Sequence, residues 1–166
     1  LKTGYIDESG YNIALSATRG RTNLLAVILG VPGSGSQDGA LNRAIDSAAL
    51  LSYGFYAFAT LQPAMEKISS IRVYKGRERY LPLSHDEPLV TVRREDARLV
   101  EGRFFVPAPL VAPVKKGDVV GHIIVSAGDR ELRRYPVTAE ADLPRGGGIR
   151  VFFDSAALFF KRLFRR

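Results

Sequence analysis

The chain has 166 residues, of which 46% are hydrophobic and 25% charged, and its formal net charge is +7. This balance is typical of a folded globular protein with one ordinary domain or two small ones, and it excludes a disordered chain. The chain has no cysteine and only two histidines, which excludes disulfides and thiolate chemistry and argues against a multi-histidine zinc site.

The opening of the chain predicts three antiparallel strands. Lys2–Ile6 and Tyr11–Thr18 flank the turn residues Asp7–Gly10, a pattern typical of a β-hairpin. Leu24–Leu29 is a continuous apolar run, which indicates a strand covered on both faces.

Lys2, Thr3 and Gly4 stand at the start of the first predicted strand. An ammonium group, a hydroxyl and a residue without a Cβ atom can together bind a carboxylate, because they supply charge, a directed hydrogen bond and room for close approach. The alternative interpretation of a Lys-Thr-Gly tripeptide is an edge strand that ends in a turn.

A glycine-rich loop over residues 30–39 precedes a predicted helix. Apolar residues recur in this helix at helical spacing: Leu41, Ile45, Ala48, Leu51 and Phe55. Gly54 is interpreted as its stop signal, and Arg43 and Asp46, one turn apart, as a solvent-exposed ion pair.

The composition changes at residues 61–63, which we interpret as a domain boundary, and short strands separated by turn residues follow. The predicted strands are Ile71–Tyr74, Leu89–Arg94, Leu99–Val106, Val119–Val125 and Leu132–Ala139. Their spacing predicts a compact all-β module over residues 63–148, without a constellation of acid, base and nucleophile. Four arginines are interpreted as solvated strand positions rather than as a basic face: Arg93, Arg94, Arg133 and Arg134.

Within residues 149–166, Ile149–Phe153 follow a flexible joint at Gly146–Gly148, and Asp154 or Ser155 is the predicted cap of a final basic amphipathic helix. Its apolar arc holds Ala156, Ala157, Phe159, Phe160, Leu163 and Phe164, and its basic arc holds Lys161, Arg162, Arg165 and Arg166. This composition favours a helix that lies in the interface of an anionic membrane, at about 1 kcal/mol for each basic residue near the surface. The alternative is a helix that packs on the β module through the same apolar face.

The order of these features resembles the C-terminal part of the serine-type D-alanyl-D-alanine carboxypeptidases, the penicillin-binding DD-carboxypeptidases. The resemblance rests on Lys2–Gly4, Gly10–Asn12, Ser16–Thr18, Arg43, Leu50–Phe55, Leu110–Gly121 and the basic C-terminal end. It implies an α+β, mainly β fold in three parts. These are the C-terminal remnant of a DD-peptidase/β-lactamase-like domain (residues 1–62), a small all-β domain (63–148) and a membrane-anchor helix (149–166).

The resemblance also implies a reaction and its partners. In this family a serine attacks the terminal D-Ala-D-Ala amide and forms an acyl-enzyme, with no cofactor or metal. Lys2 would supply positive potential, Thr3 would bind the substrate carboxylate, and Gly4 would leave room for the peptide. Arg43 would assist with the carboxylate. The implied partners are a peptidoglycan stem peptide ending in D-Ala-D-Ala, β-lactam antibiotics for the full-length protein and an anionic membrane surface. The implied location is extracytoplasmic (periplasmic), at the outer face of the cytoplasmic membrane.

The sequence departs from the family pattern in its catalytic motifs. No lysine of the chain has a serine three residues before it, and no asparagine has a serine two residues before it. The Ser-x-x-Lys and Ser-x-Asn motifs are therefore absent from these residues. Because the chain also begins at Leu1 within a predicted strand, we expect a C-terminal piece of a longer enzyme that lacks the nucleophile and is inactive by itself.

Two other functions follow from the same residues. A non-enzymatic, membrane-associated module of the cell envelope would use only the β domain and the anchor. The positive charge also raises nucleic-acid binding, but the chain offers neither a recognisable basic helix for a groove nor an aromatic stacking platform, and no nucleic-acid partner is expected.

Overall fold

The computed structural model describes residues 1–163, with side chains as far as Phe159. The described chain is mainly β, with eleven strands, two α-helices and one 3-10 helix. It divides into two compact units. The first unit holds residues 1–61 and 91–98, and the second holds residues 62–90 and the described chain from Leu99 onward. The mainly β fold expected from the sequence is confirmed.

The first unit opens with a three-stranded antiparallel sheet in the order β1-β2-β3. The strands are β1 (Lys2–Ile6), β2 (Gly10–Arg19) and β3 (Thr22–Val31). Both connections are tight turns that contain a glycine with positive φ, 67° at Gly10 and 58° at Gly20, a conformation that glycine adopts without a steric cost. The predicted hairpin and third strand are therefore present.

Helix α1 (Ser36–Ala57) packs on one face of this sheet, and its buried residues are Gly39, Ser47 and Phe55. A Cβ atom on Gly39 would lie 2.3 Å from the ring of Tyr11, and one on Gly54 would lie 2.6 Å from the side chain of Leu24. Two predictions for this helix are wrong. Gly54 lies inside the helix and does not end it, and the apolar side chains of Leu41 and Ile45 are exposed. Close approach of the helix to the sheet selects residues with small side chains for the contact.

Strand β3 is covered on one face only within the described residues. Its alternate side chains Leu25, Val27 and Leu29 are exposed, whereas Ala26 on the other face is buried. The prediction that this apolar run is covered on both faces is therefore wrong for this chain. Successive side chains of a strand point to opposite faces, and α1 covers only one of them.

Residues 91–98 pack with the first unit although they follow the start of the second. Strand β4 (Phe58–Leu61) pairs with β7 (Val90–Arg93), and the hydroxyls of Thr60 and Thr91 lie 2.8 Å apart. A 3-10 helix, Arg94–Leu99, follows β7. The single domain boundary predicted at residues 61–63 does not account for residues 91–98, which belong to the first unit.

Arg94 closes the C-terminal end of α1. Its guanidinium donates hydrogen bonds to the carbonyl oxygens of Phe55 (3.0 Å), Tyr56 (3.0 Å) and Phe58 (3.4 Å). The last carbonyls of a helix lack partners within the helix and carry partial negative charge, which a cation satisfies. The interpretation of Arg94 as a solvated strand position is therefore wrong.

Replacing Arg94 by Ala should lower the free energy of unfolding of the first unit by about 1–2 kcal/mol, because the helix-end carbonyls lose a charged donor. Hydrogen exchange of the α1 amides in the complete chain measures this change. Arg93→Ala is the matched control, because Arg93 forms only a 3.4 Å ion pair with Glu95, and both side chains are at least 65% exposed. Such pairs contribute less than about 0.5 kcal/mol in most cases, so equal losses in the two variants would contradict the assignment.

The second unit contains a six-stranded sheet in the order β8-β10-β11-β6-β5-β9. Its strands are β5 (Ser70–Tyr74), β6 (Tyr80–Ser84), β8 (Val100–Phe105), β9 (Leu110–Val111), β10 (Val119–Ala127) and β11 (Arg130–Ala139). The core holds the fully buried side chains of Val73, Leu81, Ile123, Val125 and Val137. The β module predicted from strand spacing is present, but its strands β6 and β9 were not among those predicted.

Helix α2 (Gly148–Leu163) begins earlier than predicted. Residues 149–153 belong to the helix, so neither Asp154 nor Ser155 is its N-cap. The Asp154 carboxylate instead accepts a 2.6 Å hydrogen bond from the backbone N–H of Lys75, and the Ser155 hydroxyl donates to the carbonyl of Val151 (2.6 Å). Asp154 therefore fastens α2 to the end of β5.

The apolar side chains at the start of α2 are exposed. Ile149, Phe152 and Phe153 are exposed, while Asp154 and its neighbours on the other face are partly buried. Among the described residues, no helix has the length and apolarity to cross a membrane. Of the residues assigned to the membrane face, Phe159 is exposed. The side chains of Phe160, Lys161, Arg162 and Leu163, and all of Phe164, Arg165 and Arg166, lie outside the described residues.

Candidate functional site

Lys2, Thr3 and Gly4 lie on β1, the edge strand of the first sheet. All five residues of β1 are exposed, and within the described chain only β2 pairs with it. The ammonium group of Lys2 donates a hydrogen bond to the backbone carbonyl of Thr3. A Cβ atom on Gly4 would meet nothing within 4 Å. The three residues thus face open space along a free strand edge.

Arg43 reaches from α1 to the backbone of this strand. Its Nη1 atom donates to the carbonyl oxygens of Gly4 (3.4 Å) and Asn12 (3.3 Å), which belong to paired residues of β1 and β2. The expected ion pair between Arg43 and Asp46 does not form among the described residues, because the guanidinium is directed at the sheet. The fold therefore brings Arg43 together with Lys2-Thr3-Gly4.

Tyr11 packs directly behind β1. Its ring centroid lies 4.3 Å from that of Tyr5 on β1 and 5.2 Å from the guanidinium carbon of Arg43. Gly33 and Gly39 leave the space that the ring occupies, since a Cβ atom on either would lie within 2.9 Å of it. Tyr11 supports β1, a role that the sequence did not predict. The two glycines across from it were the available signal, but their partner is set by the tertiary fold.

The far end of β1 is fixed by side-chain hydrogen bonds. The Asn12 amide nitrogen donates to the hydroxyl of Ser9 (3.0 Å), and its oxygen accepts from the backbone N–H of Gly30 (2.9 Å). The phenol of Tyr5 donates to the carboxylate of Asp7 (2.7 Å), and this hydrogen bond raises the pKa of Tyr5 above its ordinary value. Both contacts hold the β1–β2 turn and so limit the movement of β1 along the sheet.

This arrangement supplies binding chemistry. Cationic and hydroxyl donors stand beside an open strand edge, which suits a peptide that ends in a carboxylate. Among the described residues, no group of three or more His, Cys, Asp or Glu side chains is placed to hold a metal ion.

Comparisons with known proteins point to one family. The family model described as "Penicillin-binding protein 5, C-terminal domain" matches residues 59–145. The chain is 29% identical over 168 residues to the D-alanyl-D-alanine carboxypeptidase DacC of Escherichia coli, covering 99% of this chain and 40% of that protein. It is 25% identical over 151 residues to DacF of Bacillus subtilis, covering 90% and 38%. The chain therefore spans about two fifths of the length of these relatives.

Solved structures agree with the sequence matches. Penicillin-binding protein 5 from Haemophilus influenzae superimposes with a TM-score of 0.70 and 27% sequence identity, over 87% of this chain and 42% of that one. A peptidoglycan synthesis regulatory factor (PBP3) from Streptococcus pneumoniae, at 18% identity and a TM-score of 0.57, supports the fold alone. Since the family match covers more than half of the chain, the protein belongs to the penicillin-binding protein 5 C-terminal domain family and corresponds to the C-terminal part of a D-alanyl-D-alanine carboxypeptidase.

Proposed function

We propose that this chain forms the C-terminal portion of a serine-type carboxypeptidase that removes the terminal D-alanine of peptidoglycan stem peptides. The observation that carries the proposal is the placement of Lys2, Thr3 and Gly4 on an open edge strand that Arg43 braces from behind. The names of the relatives, all D-alanyl-D-alanine carboxypeptidases, support the same reaction.

In this proposal β1 is the strand that receives the substrate. A peptide that lies along the free edge pairs with the backbone of β1, as in other cases of β-strand addition. The Lys2 ammonium attracts the terminal carboxylate, and the Thr3 hydroxyl donates a hydrogen bond to it. Gly4 leaves space for the peptide, since no described atom lies within 4 Å of the position of its absent Cβ. Arg43 acts as a positioning residue through the carbonyl of Gly4.

The bond-breaking groups lie outside these 166 residues in this proposal. A serine with a neighbouring lysine, supplied by another part of the protein, forms the acyl-enzyme, which water then hydrolyses. The same serine accounts for the binding of β-lactams by the full-length protein. Helix α2 attaches the protein to the outer face of the cytoplasmic membrane, with Ile149, Phe152 and Phe153 as exposed apolar residues beside the basic end.

The isolated 166-residue chain should take no covalent label from a fluorescent penicillin and should release no D-alanine from a stem-peptide substrate, because it contains no Ser-x-x-Lys motif. The longer protein, expressed from the gene with its preceding sequence, should label stoichiometrically. Both proteins are tested side by side on denaturing gels. Labelling of the isolated chain would refute the assignment of the nucleophile. A longer protein that takes no label would favour the non-enzymatic envelope module.

A further inference from the structure

A cavity of about 520 Å³ lies at the foot of α2, within the second unit. Three arginines from different elements line it: Arg72 on β5, Arg79 before β6 and Arg150 in the first turn of α2. We call these three residues and the space between them the arginine pocket. Gly147, Gly148, Ile149, Phe153 and Asp154 complete its lining.

The backbone around the pocket is held firmly. The N–H of Val73 donates to the carbonyl of Arg79 at 2.8 Å, which holds Arg79, the residue before β6, beside β5, the strand of Arg72. The guanidinium of Arg72 lies 4.9 Å from the ring centroid of Tyr74. Arg150 donates from Nη1 to the carbonyl of Arg77 at 2.8 Å. These contacts orient the guanidinium groups of Arg72 and Arg150. Other N–H groups of each side chain remain available to a ligand.

The pocket carries excess positive charge. Its one acidic lining residue, Asp154, already accepts the backbone N–H of Lys75 at 2.6 Å. Among the described residues, neither Arg72 nor Arg79 forms an ion pair. Three guanidinium groups against one carboxylate are suited to a phosphate group, because the planar fork of arginine donates two parallel hydrogen bonds to phosphate oxygens.

The surface beside the pocket indicates where that phosphate comes from. Ile149, Phe152 and Phe153 follow the pocket glycines directly and are 79%, 71% and 67% exposed. Exposed aromatic and aliphatic side chains next to arginines are typical of a surface that enters the headgroup region of a bilayer. Binding of a free phosphate ion from water would not require these exposed apolar side chains.

We propose that the arginine pocket binds the phosphate of an anionic phospholipid headgroup. The β domain then contacts the bilayer itself, and the foot of α2 is fixed at headgroup depth. This inference rests on the proposed membrane attachment, but it assigns a role to β-domain residues that lie about 70–80 positions before the anchor in the sequence.

The test compares variants of the complete chain in sedimentation with phosphatidylglycerol-containing vesicles and with phosphatidylcholine vesicles. R72A/R79A should lower affinity for the anionic vesicles about 30-fold, since each basic residue near an anionic surface contributes roughly fivefold. Its weaker binding to phosphatidylcholine should stay unchanged. R72K/R79K, which keeps the charge but not the planar fork, should lose part of the affinity.

The matched control is R103A/R133A, which removes the same charge from the same unit. Arg133 stacks on Tyr135 at 5.1 Å much as Arg72 stacks on Tyr74, and Arg103 pairs with the exposed Glu101 at 2.6 Å. This control should lose less than about threefold. Equal losses in the two double alanine variants would overturn the pocket and leave only a general charge effect. An unchanged melting temperature for each variant shows that the fold is intact.

Two further arms separate the pocket from the anchor and from free phosphate. F152S/F159S leaves the charge and the pocket lining intact and should abolish binding to both kinds of vesicle. If it has no effect, the membrane attachment itself fails. If it abolishes binding while R72A/R79A does not weaken it, the attachment stands and the pocket fails. Binding of inorganic phosphate that R72A/R79A abolishes, with unchanged vesicle affinity, would overturn the assignment to a lipid.

Discussion

Replacing Tyr11 by Ala is expected to lower the free energy of unfolding of the first unit by about 3–5 kcal/mol, the usual loss for a buried aromatic side chain. Tyr11 is only 8% exposed and fills the space left by Gly33 and Gly39. Its removal leaves a cavity between α1 and the sheet, and it also frees Tyr5 and Arg43, which both contact its ring. The loss of stability should therefore extend to β1.

Hydrogen exchange of the β1, β2 and β3 amides in the complete chain measures this effect, and the amides of the second unit serve as an internal reference. Tyr56→Ala is the matched control, because the Tyr56 side chain is 81% exposed in the same unit. It should change protection by less than about 0.5 kcal/mol. Comparable losses in both variants, or an unchanged β1 in Tyr11→Ala, would contradict the role of Tyr11 as a support for the edge strand.

In the longer carboxypeptidase that we propose, replacing Lys2 by Ala should lower kcat/KM for D-alanine release roughly 10- to 150-fold. In the proposal the Lys2 ammonium attracts the substrate carboxylate, and its loss should cost about as much as a hydrogen bond to a charged group, roughly 1.5–3 kcal/mol. Because Lys2 is exposed and, within the described chain, its side chain contacts a neighbouring backbone carbonyl, the fold should not change. A melting temperature equal to that of the wild type verifies this.

Lys116→Ala supplies the comparison for that experiment. Lys116 is an exposed lysine in a turn of the second unit, and its replacement removes the same charge at a distance in sequence from β1. Its kcat/KM should stay within about twofold of the wild type. A Lys2→Ala enzyme with full activity would show that β1 does not bind the carboxylate, and the assignment of Thr3 would then fall with it.

Most strands of both units could be predicted because each carries its own local signal. The hairpin of β1 and β2 has alternating side chains and a glycine where the turn needs positive φ. β10 and β11 are longer than predicted but lie in the right place. In each of these elements, the residues that determine the strand or turn lie within it or next to it in the sequence.

The packing face of α1 could be predicted only in part from periodicity. Of the apolar residues at helical spacing, Phe55 is buried but Leu41 and Ile45 are exposed, and the other buried positions of the helix are Gly39 and Ser47. Small residues carry little hydrophobic signal, and their role depends on how closely the sheet approaches.

The contacts that support the candidate site and the end of α1 could not be predicted from the sequence, because they join residues that lie far apart in the chain. Arg94 and its carbonyl partners are 36–39 positions apart, and Arg43 contacts the carbonyl of Gly4, 39 positions before it. No local pattern encodes such pairs. Asp154 illustrates the same point, since a residue with the chemistry of a helix cap instead binds the backbone of Lys75.

The return of residues 91–98 to the first unit has a consequence for how this gene can be rearranged. The chain passes between the units at residues 61/62, 90/91 and 98/99, so no single cut separates them. A recombination event that moved residues 62–166 to another protein would carry Arg94 away from the helix end that it closes. In the recipient, Arg94 would lack its carbonyl partners, and in the donor the last carbonyls of α1 would lack Arg94. A transferred segment that includes both α1 and Arg94 keeps this contact.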